Sequence, residues 1–425
     1  MANKLPQGWV ECELGKIFLI ERGGSPRPIK NYLTDDKNGI NWIKIGDVQK
    51  NSKYIYSTKE KIKPEGKKHS RFVSDGDLIL SNSMSFGRPY ILRTSGCIHD
   101  GWVVFRNIYK LAYEDFLYDI LSSQNIYNEF AKVATGSTVK NLNIDRIKPI
   151  KIKISPINEQ KRIVEKIEEE FEKIDEGVEK LKSAQEQIKQ YRQSVLKSAF
   201  DGKLYKTTEW EENNITNICE LKSGNTIDKS LEKENGEIPY VKVGDMNIPD
   251  NIEEIITSSR FVNLCDIKED SLIPTGAIIF PKRGGAIATN KKRKVIKPII
   301  IDLNTMAIIP KGNILSELLY YFMIKLDLSK ISNGGAVPQI NHYSFENIKI
   351  NLPTINEQKQ LVKEIEKRFE VADEVERVIT ENLEKTEQLK QSILKKAFEG
   401  RLVPQDPTDQ PASELLAQIQ AERNK

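Results

Sequence analysis

Residue types that do enzyme chemistry are present in this sequence, but without the spacing that catalysis or metal binding needs. The three histidines, His69, His99 and His342, are far from one another, which favours structural or surface roles over those of a ligand or a base. The sequence has no GxxxxGK phosphate loop, no HExxH, no GxSxG and no GxGxxG fingerprint. It also lacks the Asn/Asp-Pro-Pro-aromatic tetrapeptide used by amino-methyltransferases. We therefore expect neither catalysis nor a bound cofactor or metal in this chain.

Basic side chains are instead concentrated in two glycine-containing stretches. In FPKRGGAIATNKKRK the cations are Lys282, Arg283, Lys291, Lys292, Arg293 and Lys294. In and around LILSNSMSFGRPYILR the candidates are Lys67, Lys68, Arg71, Ser81, Asn82, Arg88 and Arg93, with Lys140 further along. Lys and Arg neutralise phosphates, Arg can bond guanine edges, and Ser and Asn can bond several bases. These residues are candidate DNA contacts, although a solvated, salt-screened surface remains the alternative for each.

Charge is distributed unevenly along the 425 residues, whose formal net charge is only +4. Residues 1–155 carry about 25 basic and 16 acidic side chains, while residues 204–353 are near neutral. A length of about three average domains and 38% hydrophobic residues predict a folded, multidomain protein. Because the net charge of the whole chain is small, any nucleic-acid-binding surface must be confined to part of it.

The strongest feature of the sequence is an internal repeat. The stretch INEQKRIVEKIEEEF…SVLKSAFDGKL, at 157–204, returns as INEQKQLVKEIEKRF…SILKKAFEGRL at 355–402. About 48 positions pair without a gap at an offset of 198, and roughly 22 are identical. The same offset aligns WIKIGD at 42–47 with YVKVGD at 240–245, although the surrounding globular parts diverge. A period this long indicates a duplicated domain and not a solenoid.

The two matched segments are predicted to be long helices that pair with each other. Their apolar residues alternate at spacings of three and four, as in coiled coils, with Glu, Lys and Gln between them. The candidate pairing positions are Val164, Ile167, Phe171, Ile174, Val178, Leu181, Val362, Ile365, Phe369, Ile379 and Leu383. About 44 helical residues span roughly 65 Å. A pseudo-two-fold axis makes the helices antiparallel, with the globular parts at opposite ends.

The globular parts are predicted to be mixed α and β. Strand-like runs occur at 40–45, 77–80 and 102–105, and again at 239–243, 277–280 and 295–302, while 113–135 and 315–325 look helical. The fold class is therefore α+β, with two mixed α/β domains joined by an antiparallel coiled coil in a pseudo-two-fold repeat.

The cysteines and the N-terminus indicate the cellular compartment. Cys12, Cys97, Cys219 and Cys265 form no CxxC pair, so we expect no disulfide framework or zinc site, and a reducing compartment fits. The N-terminus lacks the apolar core of a signal peptide, and no apolar run approaches ~20 residues. These observations predict a cytoplasmic protein without a membrane span.

Three segments of the chain together resemble a known family. They are the helix start Pro156-Ile-Asn-Glu-Gln160, the repeated helix end Ser-x-Leu-Lys-x-Ala-Phe-x-Gly-x-Leu, and the tail LVPQDPTDQPASELL from Leu402. With the duplicated layout, they make the chain similar to the specificity subunit of Type I restriction-modification enzymes over essentially its whole length. One extra residue separates Pro353 from the second copy of the helix start.

The resemblance implies a domain plan and a set of partners. The segments would be target recognition domain 1 at 1–155, a central helix at 156–203, target recognition domain 2 at 204–353, a C-terminal helix at 354–401 and a tail at 402–425. Each recognition domain would bind one half of a bipartite, gapped site in double-stranded DNA. The helices would set the gap and dock two methyltransferase subunits, and two restriction-translocase subunits would complete the complex. S-adenosylmethionine, ATP and Mg²⁺ would bind those partners, and this chain would be non-catalytic.

Two other functions remain open from the sequence. A subunit that reads DNA for a fused methylase-nuclease would have the same architecture with a different stoichiometry. A non-DNA scaffold that joins two ligand-binding domains would explain the helices, but it would leave the basic first domain unexplained.

Overall fold

The computed structural model describes residues 5–49, 52–82, 86–107, 112–134, 141–206 and 209–423. They divide into two compact units. Unit 1 comprises Met1–Leu181 and Glu381–Lys425, and unit 2 comprises Lys182–Thr380. Each unit thus combines one globular part with portions of both long helices.

Unit 1 contains twelve of the described strands and the start of the first long helix. The strands are β1 (Val10–Glu13), β2 (Leu19–Arg22), β3 (Leu33–Thr34), β4 (Ile40–Ile43), β5 (Tyr54–Ile55), β6 (Glu60–Ile62), β7 (Arg71–Val73), β8 (Leu78–Ser81), β9 (Pro89–Leu92), β10 (Gly96–Ile98), β11 (Trp102–Arg106) and β12 (Lys151–Ile154). The helices are α1 (Leu14–Ile17), α2 (Glu114–Ser122), α3 (Gln124–Val133), α4 (Ile144–Ile147) and the long α5 (Ile157–Phe200). The strands form two five-stranded sheets, β2-β11-β8-β9-β5 and β3-β6-β4-β10-β7, and the pair β1-β12.

The sheet β2-β11-β8-β9-β5 is covered on both faces, which explains its nearly unbroken apolar sequence. Successive side chains of a strand point to opposite faces. Leu78 and Leu80 of β8 accordingly join the core formed with α2, α3 and the helix ends, whereas Ile79 joins a separate core with Ile43 and Ile98 of the second sheet. Strands buried on both faces lose the alternation of polar and apolar residues.

Unit 2 repeats this plan with fewer strands in its second sheet. The strands are β13 (Glu211–Asn214), β14 (Cys219–Ser223), β15 (Ile238–Val241), β16 (Glu254–Ile255), β17 (Phe261–Val262), β18 (Ile278–Pro281), β19 (Arg293–Val295), β20 (Ile300–Ile301), β21 (Thr305–Pro310) and β22 (Lys349–Leu352). The helices are α6 (Ile215–Ile218), α7 (Ser316–Lys325), α8 (Leu328–Ile331) and the long α9 (Ile355–Phe398), and α10 (Ala412–Arg423) follows in unit 1. The sheets are β14-β21-β18-β19-β16, β17-β15-β20 and β13-β22.

Both long helices begin and end in the same way. Gln160 is buried near the start of α5, where its side chain accepts a bond from Tyr113 N at 2.8 Å and donates to Ser155 O at 2.8 Å. Gln358 in α9 bonds Leu315 N and Pro353 O, each at 3.0 Å. At the far ends, Gly202 and Gly400 have φ values of 72° and 66°, the left-handed conformation that terminates helices. The repeated glutamine therefore ties each long helix to a shorter helix of its own unit.

Within each unit the two long helices run antiparallel. In unit 1, Asp175 of α5 pairs with Lys390 of α9 at 2.6 Å, and Arg162, one turn after the helix start, pairs with Asp409 beyond the end of α9. In unit 2, Arg192 in the last quarter of α5 pairs with Asp373 in the first half of α9 at 2.5 Å. Arg192 and Lys390 are equivalent in the repeat, and each also lies over an equivalent phenylalanine ring, Phe369 or Phe171. Arg192 and Lys390 thus form equivalent interhelical ion pairs, one in each unit.

The predicted fold class is confirmed, with local corrections. The strand expected at 295–302 is interrupted, since β19 ends at Val295 and β20 begins at Ile300, with Pro298 between them. The helix expected over 113–135 is two helices that meet at Ser123, whose side chain caps α3. The proposed domain boundaries stay a prediction. Over the part of the chain that the structure describes, no helix is both long and apolar enough to cross a membrane.

Candidate nucleic-acid interface

One edge of the sheet β2-β11-β8-β9-β5 in unit 1 collects the loops that carry most of the candidate residues of this unit. Antiparallel pairing places Arg22 opposite Val103, Ser81 opposite Trp102 and Leu80 opposite Pro89. The end of β2, the β8–β9 hairpin and the loop before β11 therefore meet at one edge, which we call the unit 1 loop edge. The turn Pro64–His69 reaches it as well, because a Cβ atom on Gly24 would lie 3.1 Å from His69 O.

Two polar candidates at the unit 1 loop edge are structural. Asn82 is fully buried; its side-chain Oδ1 accepts a bond from Leu142 N at 2.6 Å, and its main-chain N–H donates to Gly101 O at 2.8 Å. Ser81 is also buried, and its Oγ accepts from Arg88 N at 3.0 Å. The burial of Ser81 and Asn82 and their bonds to the main chain favour a role in positioning the loops. Their assignment as DNA contacts stays a prediction.

The exposed cations of the unit 1 loop edge are the ones suited to phosphates. Arg88 and Lys68 are exposed, and no carboxylate of the described residues lies within 4 Å of either. Lys67 is exposed too, with its ammonium 4.1 Å from the Phe72 ring centre. Arg71 is exposed and pairs with Glu21 at 3.1 Å. Lys140 lies outside the described residues, so its role stays a prediction.

A polar cleft adjoins this edge and adds residues that the sequence did not single out. It has a volume of about 630 Å³, and its lining includes Arg22, Arg71, Asn141, Asn143 and Lys148. Arg22 is exposed and donates to Asp100 O at 3.2 Å. The signal for Arg22 was present in the sequence, since it ends a strand and precedes two glycines. The backbone of the next residue, Gly23, packs so tightly against His99 that a Cβ atom at position 23 would lie 2.1 Å from His99 O.

Arg93 lies at the end of the sheet opposite the unit 1 loop edge, and its assignment as a DNA contact stays a prediction. It follows β9 and pairs with Glu114 of α2 at 3.4 Å and Asp75 at 3.7 Å. Its guanidinium also lies 4.8 Å from the ring centre of Tyr54. Arg93 therefore anchors a strand end to a helix start.

Unit 2 has an equivalent loop edge, formed by the ends of β14 and β18 and the start of β21. Lys282 N donates to Asn304 O at 2.8 Å, and Lys282 O accepts from Ile340 N at 2.8 Å. Gly284 N donates to Pro338 O at 2.8 Å. The segment 333–341 is thereby held beside Lys282–Gly284, and we call this surface the unit 2 loop edge.

Three cations of the basic run are placed at or near the surface of unit 2. Arg283 is exposed, and within the described residues no carboxylate lies within 4 Å of it. The half-buried Lys282 donates to Ser223 Oγ at 2.9 Å, and burial together with Arg283 lowers its pKa. Lys291 is half-buried and contacts Asn247 Oδ1. Ser223 is a further residue that the sequence did not single out.

The other three cations of the run hold the loop together. Lys292 is only 1% exposed; its ammonium donates to Leu326 O and Asn290 Oδ1, each at 2.6 Å, and burial lowers its pKa to about 7. Arg293 donates to the main-chain oxygens of Met246 and Asn251. Lys294 pairs with Glu254 at 2.9 Å. The charged group of Lys292 therefore faces the interior, and its assignment as a phosphate contact stays a prediction.

The candidate pairing residues of the long helices are buried or half-buried, and they pack against a globular part as well as against the other long helix. Val164 and Ile167 belong to the unit 1 core together with strand residues and the end of α9, and Phe171 and Ile174 pack against it. Val362 and Ile365 belong to the unit 2 core, which Phe369 contacts, and Ile379 is buried. Val178, Leu181 and Leu383 are half-buried. The first turns of each stripe therefore face a globular part as well as the other helix.

Comparisons with known proteins match the duplicated layout of the chain. The profile of the Type I restriction modification DNA specificity domain matches residues 6–188 and again 207–385. The chain belongs to this family. It is 23% identical to the StySPI specificity subunit of Salmonella potsdam, covering 99% of this chain and 96% of that protein. It is 24% identical to the EcoKI specificity subunit of Escherichia coli K12, covering 99% and 97%.

Solved structures share the fold. A chain from a structure of the type I R-M system, which concerns complex assembly and conformational transition, superposes with a TM-score of 0.73. It is 20% identical, and the match covers 94% of this chain and 99% of that one. The HsdS subunit from Thermoanaerobacter tengcongensis gives a TM-score of 0.58 at 20% identity, with the same coverage. The two matches to the family profile make the chain a Type I DNA specificity subunit with two recognition domains, and the solved structures agree in fold.

Proposed function

We propose that this chain reads a bipartite, gapped DNA sequence for a Type I restriction-modification complex. Each loop edge binds one half-site, and the paired long helices set the number of base pairs between the halves. The observation that carries the proposal is a duplicated scaffold that presents two different loop edges. A matched frame with divergent loops is what reading two different sequences requires.

Binding at each edge divides into two kinds of contact. Exposed cations such as Arg88, Lys68 and Arg283, which have no carboxylate partner among the described residues, neutralise phosphates or bond guanine edges. Loops held by buried side chains fix where those cations lie. With a formal net charge of only +4, we infer that tight binding needs partner subunits that close around the duplex.

The chemistry belongs to the partners in this proposal. Two methyltransferase subunits dock on the long helices and use S-adenosylmethionine to methylate adenine. Two restriction-translocase subunits use ATP and Mg²⁺. This chain supplies sequence recognition and positioning, acting in the cytoplasm where those partners and the DNA are found.

The adenine methylome of the source strain tests the proposal directly. Long-read sequencing with and without this chain is expected to show the loss of one gapped, two-part motif upon deletion. An inactive partner is controlled for by expressing the chain with a methyltransferase pair known to be active. An unchanged methylome in both settings would refute the proposal.

The role of the long helices is tested by changing their length. Removing or adding one heptad at equivalent positions of α5 and α9 is expected to change the gap and leave both half-sites as they were, because the loop edges lie outside the altered turns. A change in a half-site base instead of the gap would refute the spacer role.

Two competing functions give different outcomes. A fused methylase-nuclease partner would produce the same motif, and the composition of the purified native complex separates it from three distinct subunit types. A non-DNA scaffold would bind no duplex in the presence of the partners and leave the methylome unchanged. The free cations at both loop edges favour DNA over that scaffold.

A further inference from the structure

The unit 2 loop edge exposes apolar side chains beside its cations. Leu303, Val337 and Tyr343 are 37%, 51% and 75% exposed. Isolated exposed apolar residues are ordinary, but these three converge on one short stretch of main chain, Lys282–Gly284. Their convergence makes this a surface feature to explain.

Main-chain hydrogen bonds place each of the three around that stretch. Leu303 directly precedes Asn304, whose carbonyl accepts from Lys282 N at 2.8 Å. Val337 directly precedes Pro338, whose carbonyl accepts from Gly284 N at 2.8 Å. Tyr343 follows three residues after Ile340, whose N–H donates to Lys282 O at 2.8 Å. The three apolar residues therefore lie within three residues of main-chain atoms that bond to Lys282 or Gly284.

The same hydrogen bonds in unit 1 lead to acidic residues. Asn82 N donates to Gly101 O, and the residue before Gly101 is Asp100, which pairs with Arg27 at 3.5 Å. Asp145 is exposed and follows Leu142 by three residues, as Tyr343 follows Ile340. Two apolar positions of unit 2 thus correspond to two carboxylates in unit 1. The shared frame therefore does not require apolar residues at these positions, which leaves the side chains in unit 2 available for contact with a partner.

Resting on the proposed function, we propose that Leu303, Val337 and Tyr343 pack against thymine methyl groups in the major groove of the second half-site. The C5 methyl of thymine is the only apolar group that a base pair presents in that groove, and aliphatic or aromatic side chains contact it. The adjacent Arg283 and Lys282 hold the duplex by its phosphates, which brings the apolar group to the base edges. Unit 2 therefore obtains part of its specificity from methyl contacts, which the carboxylates of unit 1 do not make.

Replacing thymine by deoxyuridine tests this contact, because the exchange removes the methyl and retains base pairing. The intact complex is titrated with duplexes carrying the motif found by methylome sequencing, with each thymine of the second half-site exchanged in turn. At one or more positions binding is expected to weaken about fourfold, the effect of one buried methyl group. In Leu303→Ala, Val337→Ala or Tyr343→Ala, that penalty is expected to disappear for the contact concerned.

The matched control is Tyr56→Ala in unit 1, where the side chain is 58% exposed and follows β5 away from the loop edge. It is expected to leave every deoxyuridine penalty unchanged. The inference is overturned if no exchange in the second half-site weakens binding, or if the penalty persists in all three unit 2 variants. Failure of the complex to bind the unmodified motif would overturn the proposed function itself, so the two failures are distinguishable.

Discussion

The two loop edges share one main-chain arrangement, but different hydrogen-bonding groups stabilise it in each unit. In unit 1 the N–H of Leu142 is satisfied by the Asn82 side chain at 2.6 Å. In unit 2 the N–H of Ile340, which lies 198 residues further along, is satisfied by the Lys282 main-chain oxygen at 2.8 Å. Asn82 is fully buried, while the Lys282 side chain reaches Ser223 at the surface.

This difference shows which positions of a recognition domain are available for DNA contact. Where a side chain satisfies a buried N–H, its identity is fixed by the frame. Where the main chain satisfies that N–H, the side chain is available for recognition. Equivalent positions in the repeat therefore do not carry equivalent functions.

The largest effect that would test this comparison is on stability. Asn82→Ala leaves the N–H of Leu142 buried without its partner, which costs about 2 kcal/mol of unfolding free energy. Lys282→Ala removes no such partner and is expected to change stability by less than about 0.5 kcal/mol. Chemical denaturation of the two variants, followed by a probe in each unit, checks both values.

The two variants are each other's control, because they occupy the same place in the frame. After correction for the folded fraction, the loss of DNA affinity is expected to follow the opposite order. Lys282→Ala loses more, through weaker binding of the second half-site. Equal destabilisation by both substitutions would contradict the distinction between frame and recognition positions.

The long helices were predictable from sequence because their signals are local. The signals are a proline before the first turn (Pro156), a glycine after the last turn (Gly202) and apolar residues at spacings of three and four. Each of them depends on residues within a few turns of one another. The basic run 282–294 was also recognisable, but the burial of Lys292 was not. Its acceptor Leu326 O lies 34 residues away at the end of α7, and a contact this distant leaves no local pattern.

The units also differ in a buried ionisable group, whose pKa is shifted upward in unit 1 and downward in unit 2. In unit 1, burial raises the pKa of Asp119 to about 7, and its Oδ2 has no hydrogen-bond partner among the described residues. In unit 2, burial lowers the pKa of Lys292 to about 7. Both folded units thus favour the neutral form of a group that is charged at pH 7 in the unfolded chain.

The pH dependence of unit 2 gives the next largest effect. Between pH 7 and about 10 the unfolded chain keeps a proton on Lys292 that the folded unit releases, so stability rises with pH across that window and is constant below it. The expected gain from pH 7 to pH 9 is about 2 kcal/mol. Hydrogen exchange of the β18 and β21 amides, corrected for intrinsic rates, measures it.

Lys292→Met is expected to abolish this dependence, since the variant has no group to titrate. Asp119 provides the counterpart in unit 1, where stability falls as pH rises from about 4 to 7 and is constant above, and Asp119→Asn removes that slope. The same pH slope in Lys292→Met as in the unaltered chain would assign the titration to another group.

The smallest effect separates surface cations from the buried one in DNA binding. Arg283 in unit 2 and Arg88 in unit 1 are exposed, so Arg283→Gln and Arg88→Gln are each expected to lower the slope of log affinity against log salt by about 0.9, the value for one phosphate contact. Lys292→Met is expected to leave that slope unchanged, because its ammonium faces Leu326 and not solvent. If Lys292→Met lowered the slope as much as Arg283→Gln while keeping its thermal stability, the loop would have to open on DNA. Lys292 would then belong to the recognition surface, and unit 2 would differ from unit 1 in how its loop moves as well as in how its frame is held.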